Sequence, residues 1–129
     1  AYYFLKDFMK RNCGRFVFIG SRASYRGETE EYLAYAASKG AVTSLSKSIA
    51  RSFGKYNIKS LVISPGFVET QMAKSFEEGN LESSVLDELA LNEMTQPEHV
   101  SPLVAFICSG QMDHATGTTI DMNAGSYMR

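Results

Sequence analysis

The sequence predicts an α/β fold in which three parallel strands are flanked by helices. Two observations point there. Helix-period and strand-like segments alternate along the 129 residues, and the strand-like segments tend to be apolar at both parities. Alternation of this kind calls for parallel pairing through right-handed crossovers. Strands covered on both faces also lose the two-residue polar rhythm.

Taken in order, residues 2–11 place Leu5, Phe8 and Met9 at helical spacing and close on Asn12 and Gly14, both terminator types. Arg15–Gly20 is the first strand, expected to be buried on both faces. A polar stretch from Ser21 to Glu31 leads into a long helical pattern ending near Phe53. There Ala34, Ala37, Ala41, Leu45, Ile49 and Phe53 form the expected core stripe, and Gly54 is placed to end it. Lys59–Ile63 is the second strand, stopped by Ser64-Pro65-Gly66. Residues 71–95 are mixed, with Met72, Phe76, Leu86 and Leu89 as scattered apolar positions. Thr95-Gln96-Pro97-Glu98 reads as a helix start with Glu as the capping-box partner. Val100, Leu103, Val104 and Ile107 supply that helix's core face. A last strand, roughly Thr118–Met122, precedes an Asn123-Ala124-Gly125 turn.

Composition narrows the function classes. A hydrophobic content of 44% is enough for one packed domain, and we expect a single domain over 1–129. The formal net charge of −1 offers no electrostatic reason for a nucleic acid or an anionic membrane as partner. No apolar run approaches the roughly 20 residues that span a bilayer, and the opening residues lack a signal-peptide pattern. A cytoplasmic protein is expected. Cys13 and Cys108 are read as two buried reduced thiols rather than a disulfide, and His99 and His114 lack neighbours at metal-ligand spacing.

Chemistry centres on Tyr35 and Lys39. Four residues apart on a helix, they share a face. A lysine cation beside a phenol favours the phenolate, so the tyrosine can exchange a proton with an alkoxide or alcohol. Spacing alone does not mark a site, because Tyr2 and Lys6 repeat it. Context separates the pairs: Tyr35 opens the helix that follows a strand, and ligands of open parallel sheets bind beyond the carboxyl ends of strands. Ser21 stands where that strand leaves the sheet and could donate to a carbonyl oxygen. It could equally be a turn or cap serine, and Ser24 is its rival. Pro65 and Gly66 end the second strand at the same edge, where glycine permits close backbone approach to a ligand.

Ser21 with Tyr35-Ala36-Ala37-Ser38-Lys39-Gly40-Ala41-Val42 resembles the active-site segment of the classical short-chain dehydrogenase/reductase family. Ser64-Pro65-Gly66-Phe67-Val68-Glu69-Thr70, Gln96-Pro97-Glu98-His99-Val100 and Thr116-Gly117 through Asn123-Ala124-Gly125 resemble later segments of that family, in order and over the whole chain. The resemblance implies the C-terminal half of a Rossmann-type doubly wound parallel sheet. It implies hydride transfer between NAD or NADP and a carbonyl/alcohol substrate, with 3-oxoacyl-carrier-protein reductase-like activity as one reading. Tyr35 would be the acid/base, Lys39 its ribose-binding partner and Ser21 the substrate stabiliser. Pro65, Gly66, Val68 and Thr70 would line the nicotinamide end of the cofactor, and 71–95 would be the substrate lid.

The chain departs from the family pattern in three places. None of the ten glycines forms a phosphate-binding turn after a strand. One extra residue separates Ser21 from Tyr35, and Asn123-Ala124 replaces the usual Asp-Gly. We therefore expect a polypeptide whose beginning lies elsewhere, inactive by itself, with the first strand exposing an edge. An enoyl reductase is disfavoured because that branch spaces its Tyr and Lys more widely. The alternative function is a non-catalytic assembly or regulatory module. By resemblance, the helices at 2–11 and 35–53 would pair with their counterparts in a homo-oligomer, and the final strand and helix would make a second contact.

Overall fold

The computed structural model describes residues 1–70 and 85–129. Its elements are α1 (Tyr2–Arg11), β1 (Gly14–Ile19), α2 (Ala23–Arg26), α3 (Leu33–Phe53), β2 (Ile58–Pro65), α4 (Pro97–Cys108) and β3 (Thr119–Met122). The strands pair in parallel in the order β1-β2-β3, with Val17 opposite Leu61 and Ile63 opposite Ile120. The predicted α/β class and its three parallel strands are what the molecule has. Among the described residues, no helix is long and apolar enough to cross a membrane.

Each face of the sheet has its own helices. On one face Leu61, Ile63 and Ile107 form a fully buried centre. Val17, Val100, Leu103, Val104, Met112, Ile120 and Met122 surround it, so α4 buries the stripe the sequence predicted. On the other face α1 stacks Phe8 on Phe16, ring centroids 5.2 Å apart. Gly14 is required there, because a Cβ would fall 2.1 Å from the Phe8 ring. α1 ends where expected, on Asn12 in the left-handed conformation at φ 50°.

α3 packs on that second face, but not through the stripe read from the sequence. Thr43, Ser46 and Ile49 are its buried residues, whereas Ala34, Ala37, Ala41 and Leu45 are exposed and Phe53 is half-buried. The opposing strand explains the change. β2 offers small side chains such as Ser60, and the Ser46 and Ser60 hydroxyls meet at 2.8 Å with both residues fully buried. Small residues allow close approach, and each hydroxyl satisfies the other.

Other boundaries shift modestly. β2 runs through Pro65 rather than stopping at Ile63, and it is buried almost throughout. β1 is only half-buried, with Ile19 exposed, because among the described residues it lies at the sheet's edge beside β2. Both cysteines are free and exposed rather than buried. α4 is capped by Gln96, whose backbone N–H donates to His99 Nδ1 at 3.1 Å; His99, not Glu98, closes the cap. Leu89 is core-packed and Leu86 is half-buried. Met72 and Phe76 lie outside the described residues, as does most of the 71–95 segment.

Candidate functional site

The carboxyl ends of β1 and β2 carry most of the side chains singled out above. β1 ends at Ile19, and Gly20 continues the ladder through its N–H to Ile63 O at 2.7 Å. The chain then turns through Ser21 into the short helix α2. Next to it, β2 ends at Pro65, whose carbonyl accepts the Arg22 N–H at 3.1 Å. α3 starts above this edge, with Tyr35 in its first turn.

Tyr35 and Lys39 do share a face. The Lys39 ammonium sits 5.6 Å from the Tyr35 ring centroid and donates to Ile19 O at 3.1 Å. That second bond moors the pair to the last residue of β1. Tyr35 keeps 44% of its surface exposed. The decoy pair shows why position matters more than spacing. Lys6 lies 4.6 Å from the Tyr2 ring, closer than in the candidate pair. Tyr2 and Lys6 nevertheless stand on α1, where no hydrogen bond among the described residues ties either of them to a strand end.

Ser21 is buried, and its Oγ accepts the Ala23 N–H at 3.2 Å. This is the bond of a turn serine. It occupies an oxygen lone pair and leaves the hydroxyl proton to be donated elsewhere. No hydrogen bond joins Ser21 to Tyr35 among the described residues, so they share an edge without touching. Ser24, the rival, has its Oγ buried and without a partner among the described residues.

The segment after β2 is held by its neighbours. Gly66 N–H donates to Met122 O at 3.1 Å, and a Cβ there would fall 2.9 Å from Asn123 Cα. Gly66 is therefore needed for packing against β3's end. Val68 forms a parallel bridge with Thr95, and Thr70 follows on the surface. Pro65 is buried.

Sequence reasoning missed Arg22. It is 3% exposed, stacks over Phe67 at 4.5 Å and pairs with Glu88. Burial pushes its pKa down and the nearby Arg26 adds to this, while Glu88 partly offsets both. Buried polar atoms without a partner among the described residues gather at this edge: Arg22 Nη1, Ser24 Oγ and Ser64 Oγ, with Arg15 Nε at the opposite end of β1. Buried polar groups are normally satisfied, so such a concentration marks a place prepared for polar chemistry. An arginine directly after a strand-end serine was the available signal.

A nicotinamide cofactor finds a partial fit. The exposed Tyr35 and the Lys39 ammonium beside it suit a ribose. Among the described residues, no strand ends in a glycine-rich turn that would receive a pyrophosphate.

Comparison with known proteins places the sequence and the fold in one family. A family model described as enoyl-(acyl carrier protein) reductase matches residues 1–127. The 3-oxoacyl-[acyl-carrier-protein] reductase of Salmonella typhimurium is 31% identical over 96% of the chain and 50% of its own length. The corresponding reductase of Mycobacterium bovis is 31% identical over 93% of the chain and 48% of its own. The chain thus spans about half the length of the curated relatives it matches. Among solved structures, a 4-hydroxyisoleucine dehydrogenase complexed with NADH superposes with a TM-score of 0.87 at 29% identity. That match covers 95% of this chain and 51% of the other. A putative 2-deoxy-d-gluconate 3-dehydrogenase from Agrobacterium tumefaciens with bound NADP reaches 0.90 at 22% identity, over 95% and 50%, a likeness of fold.

Proposed function

The chain belongs to the short-chain dehydrogenase/reductase family, and from that premise we propose that it carries the proton-transfer site of an NAD(P)-dependent carbonyl/alcohol oxidoreductase. The observation behind this reading is the mooring of Lys39 to Ile19 O with its ammonium over the Tyr35 ring. It holds an acid/base pair at the sheet edge where ligands of this architecture bind.

In the reductive direction the substrate carbonyl oxygen accepts a hydrogen bond from Ser21, whose hydroxyl is fixed by the Ala23 N–H. The Tyr35 phenol then gives its proton to the developing alkoxide, and the Lys39 cation stabilises the phenolate left behind. In oxidation the phenolate accepts the alcohol proton. The bound nicotinamide supplies or receives the hydride. Lys39 and Tyr35 would face its ribose, and Pro65, Gly66, Val68 and Thr70 would border its ring.

Within the family we favour carbonyl over enoyl reduction, since the four-residue step from Tyr35 to Lys39 is the one the carbonyl-reducing branch resembles. A 3-oxoacyl thioester is the substrate class suggested by the curated relatives. The 129-residue chain alone is expected to show no turnover, for want of a pyrophosphate-binding turn. A homo-oligomer is also proposed: Tyr2, Tyr3 and Phe4 on α1 and Leu33 and Leu45 on α3 are exposed on the same side of the sheet.

Cofactor titration tests the reading. The chain would be joined to a glycine-rich dinucleotide-binding half and titrated with NADPH and NADH. Weakened binding in Lys39→Ala supports the enzyme; indifference to that change favours the assembly module.

A further inference from the structure

Arg22 has no role in the proton-transfer scheme, yet it is the most deeply buried cation at the site. Its guanidinium lies between Phe67 and Glu88, with Nη2 donating to Glu88 Oε2 at 2.9 Å. The same oxygen also accepts from Arg26 Nη1 at 2.7 Å. Arg26 is tied in turn to Glu28 at 3.3 Å. One carboxylate oxygen therefore serves two arginines, and Arg22 Nη1 has no acceptor among the described residues.

A guanidinium is a planar fork suited to two oxygens of one carboxylate or phosphate. Here half of the fork is unused, although the residue is 3% exposed. A buried cation with incomplete partners is costly, and it is relieved by an anion that completes the set. The covering groups are displaceable. Glu88 is 46% exposed at its side chain and Phe67 is 36% exposed. Ser21, immediately before Arg22, is the proposed carbonyl donor.

We propose that Arg22, with Arg26, recognises a carboxylate on the carbonyl substrate, and that Glu88 holds this seat until the substrate displaces it. The substrate class is then a free oxo acid in place of the 3-oxoacyl thioester that the curated relatives suggest: its carbonyl faces Ser21 and Tyr35 while its carboxylate takes both edges of the Arg22 fork. This deepens the carbonyl-reductase reading and rests on it.

Selective 15N-arginine labelling of the full 129-residue chain allows the Arg22 Nε–H signal to be followed by NMR. The titrants are acetoacetate, its neutral methyl ester and inorganic phosphate. Acetoacetate should shift the signal saturably, and the ester and phosphate should bind at least about tenfold more weakly, given the worth of charge-assisted hydrogen bonds. Glu88→Gln removes the competing charge and should tighten acetoacetate binding several-fold. Arg22→Gln should abolish it, as read in that variant on the Arg26 Nε–H signal. Equal binding of acid and ester, phosphate binding as tight as acetoacetate, or weaker acetoacetate binding in Glu88→Gln would each overturn the proposal. Binding requires no hydride transfer, so the two readings fail separately. With turnover measured in the chain joined to a dinucleotide-binding half, carboxylate selectivity alongside full activity of Tyr35→Phe would sink the catalytic reading alone. Acid and ester binding alike, with Tyr35 still required for turnover, would sink the anion site alone.

Discussion

Asp113 shows how single residues hold this small sheet together. Desolvation alone would push its carboxyl up, but hydrogen bonds from Arg15 and Lys59 outweigh that and hold it below the usual carboxylate range. The clip joins the starts of β1 and β2 to the turn before β3. A carboxyl depressed in the folded state contributes stability above its unfolded value, near 4, and loses it as pH falls through the folded value. Asp113→Asn should therefore flatten the acid limb of stability below about pH 4 while lowering stability at neutral pH, measured by urea unfolding across pH. Ala124 offers the opposite case. It is held at φ 52°, a left-handed conformation that strains a residue with a Cβ. Ala124→Gly should raise the unfolding free energy by up to about 1 kcal/mol, seen as a higher urea midpoint. Tyr35 and Lys39 could be picked out from sequence because their spacing and their place after a strand are local. Arg22 offered only its place after a strand-end serine, because its partners Phe67 and Glu88 lie 45 and 66 positions away.

At the scale of elements, α3 carries the main lesson. Periodicity located the helix correctly, and its buried face was misassigned. Hydropathy favours Ala and Leu as core residues, but the strand beneath presents Ser60, and small hydroxyl residues pack there instead. The face of a helix is chosen by the surface it meets, which no window of its own sequence contains. α4 was read correctly because it lies on Leu61 and Ile63, an apolar surface where hydropathy and packing agree. The Ser46–Ser60 pair makes this testable. Either Ser→Ala change strands a buried hydroxyl and should cost about 1–3 kcal/mol. The double change removes both groups and should cost less than the two singles summed, as a double-mutant cycle in urea would show. Strict additivity would mean that the hydroxyls do not interact.

On the scale of the whole molecule, the sheet is open along β1, and an apolar surface on α1 and α3 remains uncovered. An unpaired strand edge and exposed aromatic side chains favour association. The chain should therefore sediment as a concentration-dependent oligomer, and charge placed at the exposed Leu45 (Leu45→Lys) should shift it toward monomer without unfolding it. The fold class was legible because alternation of elements is a global pattern written in short segments. The site's completion was less so, since it depends on how three strand ends and a distant carboxylate converge. The catalytic account is tested most directly by carbonyl reduction in the chain joined to a dinucleotide-binding half, comparing the parent with Tyr35→Phe. Loss of a general acid typically lowers turnover by 10²–10⁴-fold, roughly, and that is the result expected, with folding and cofactor affinity retained. Turnover within a few-fold of the parent would contradict the account.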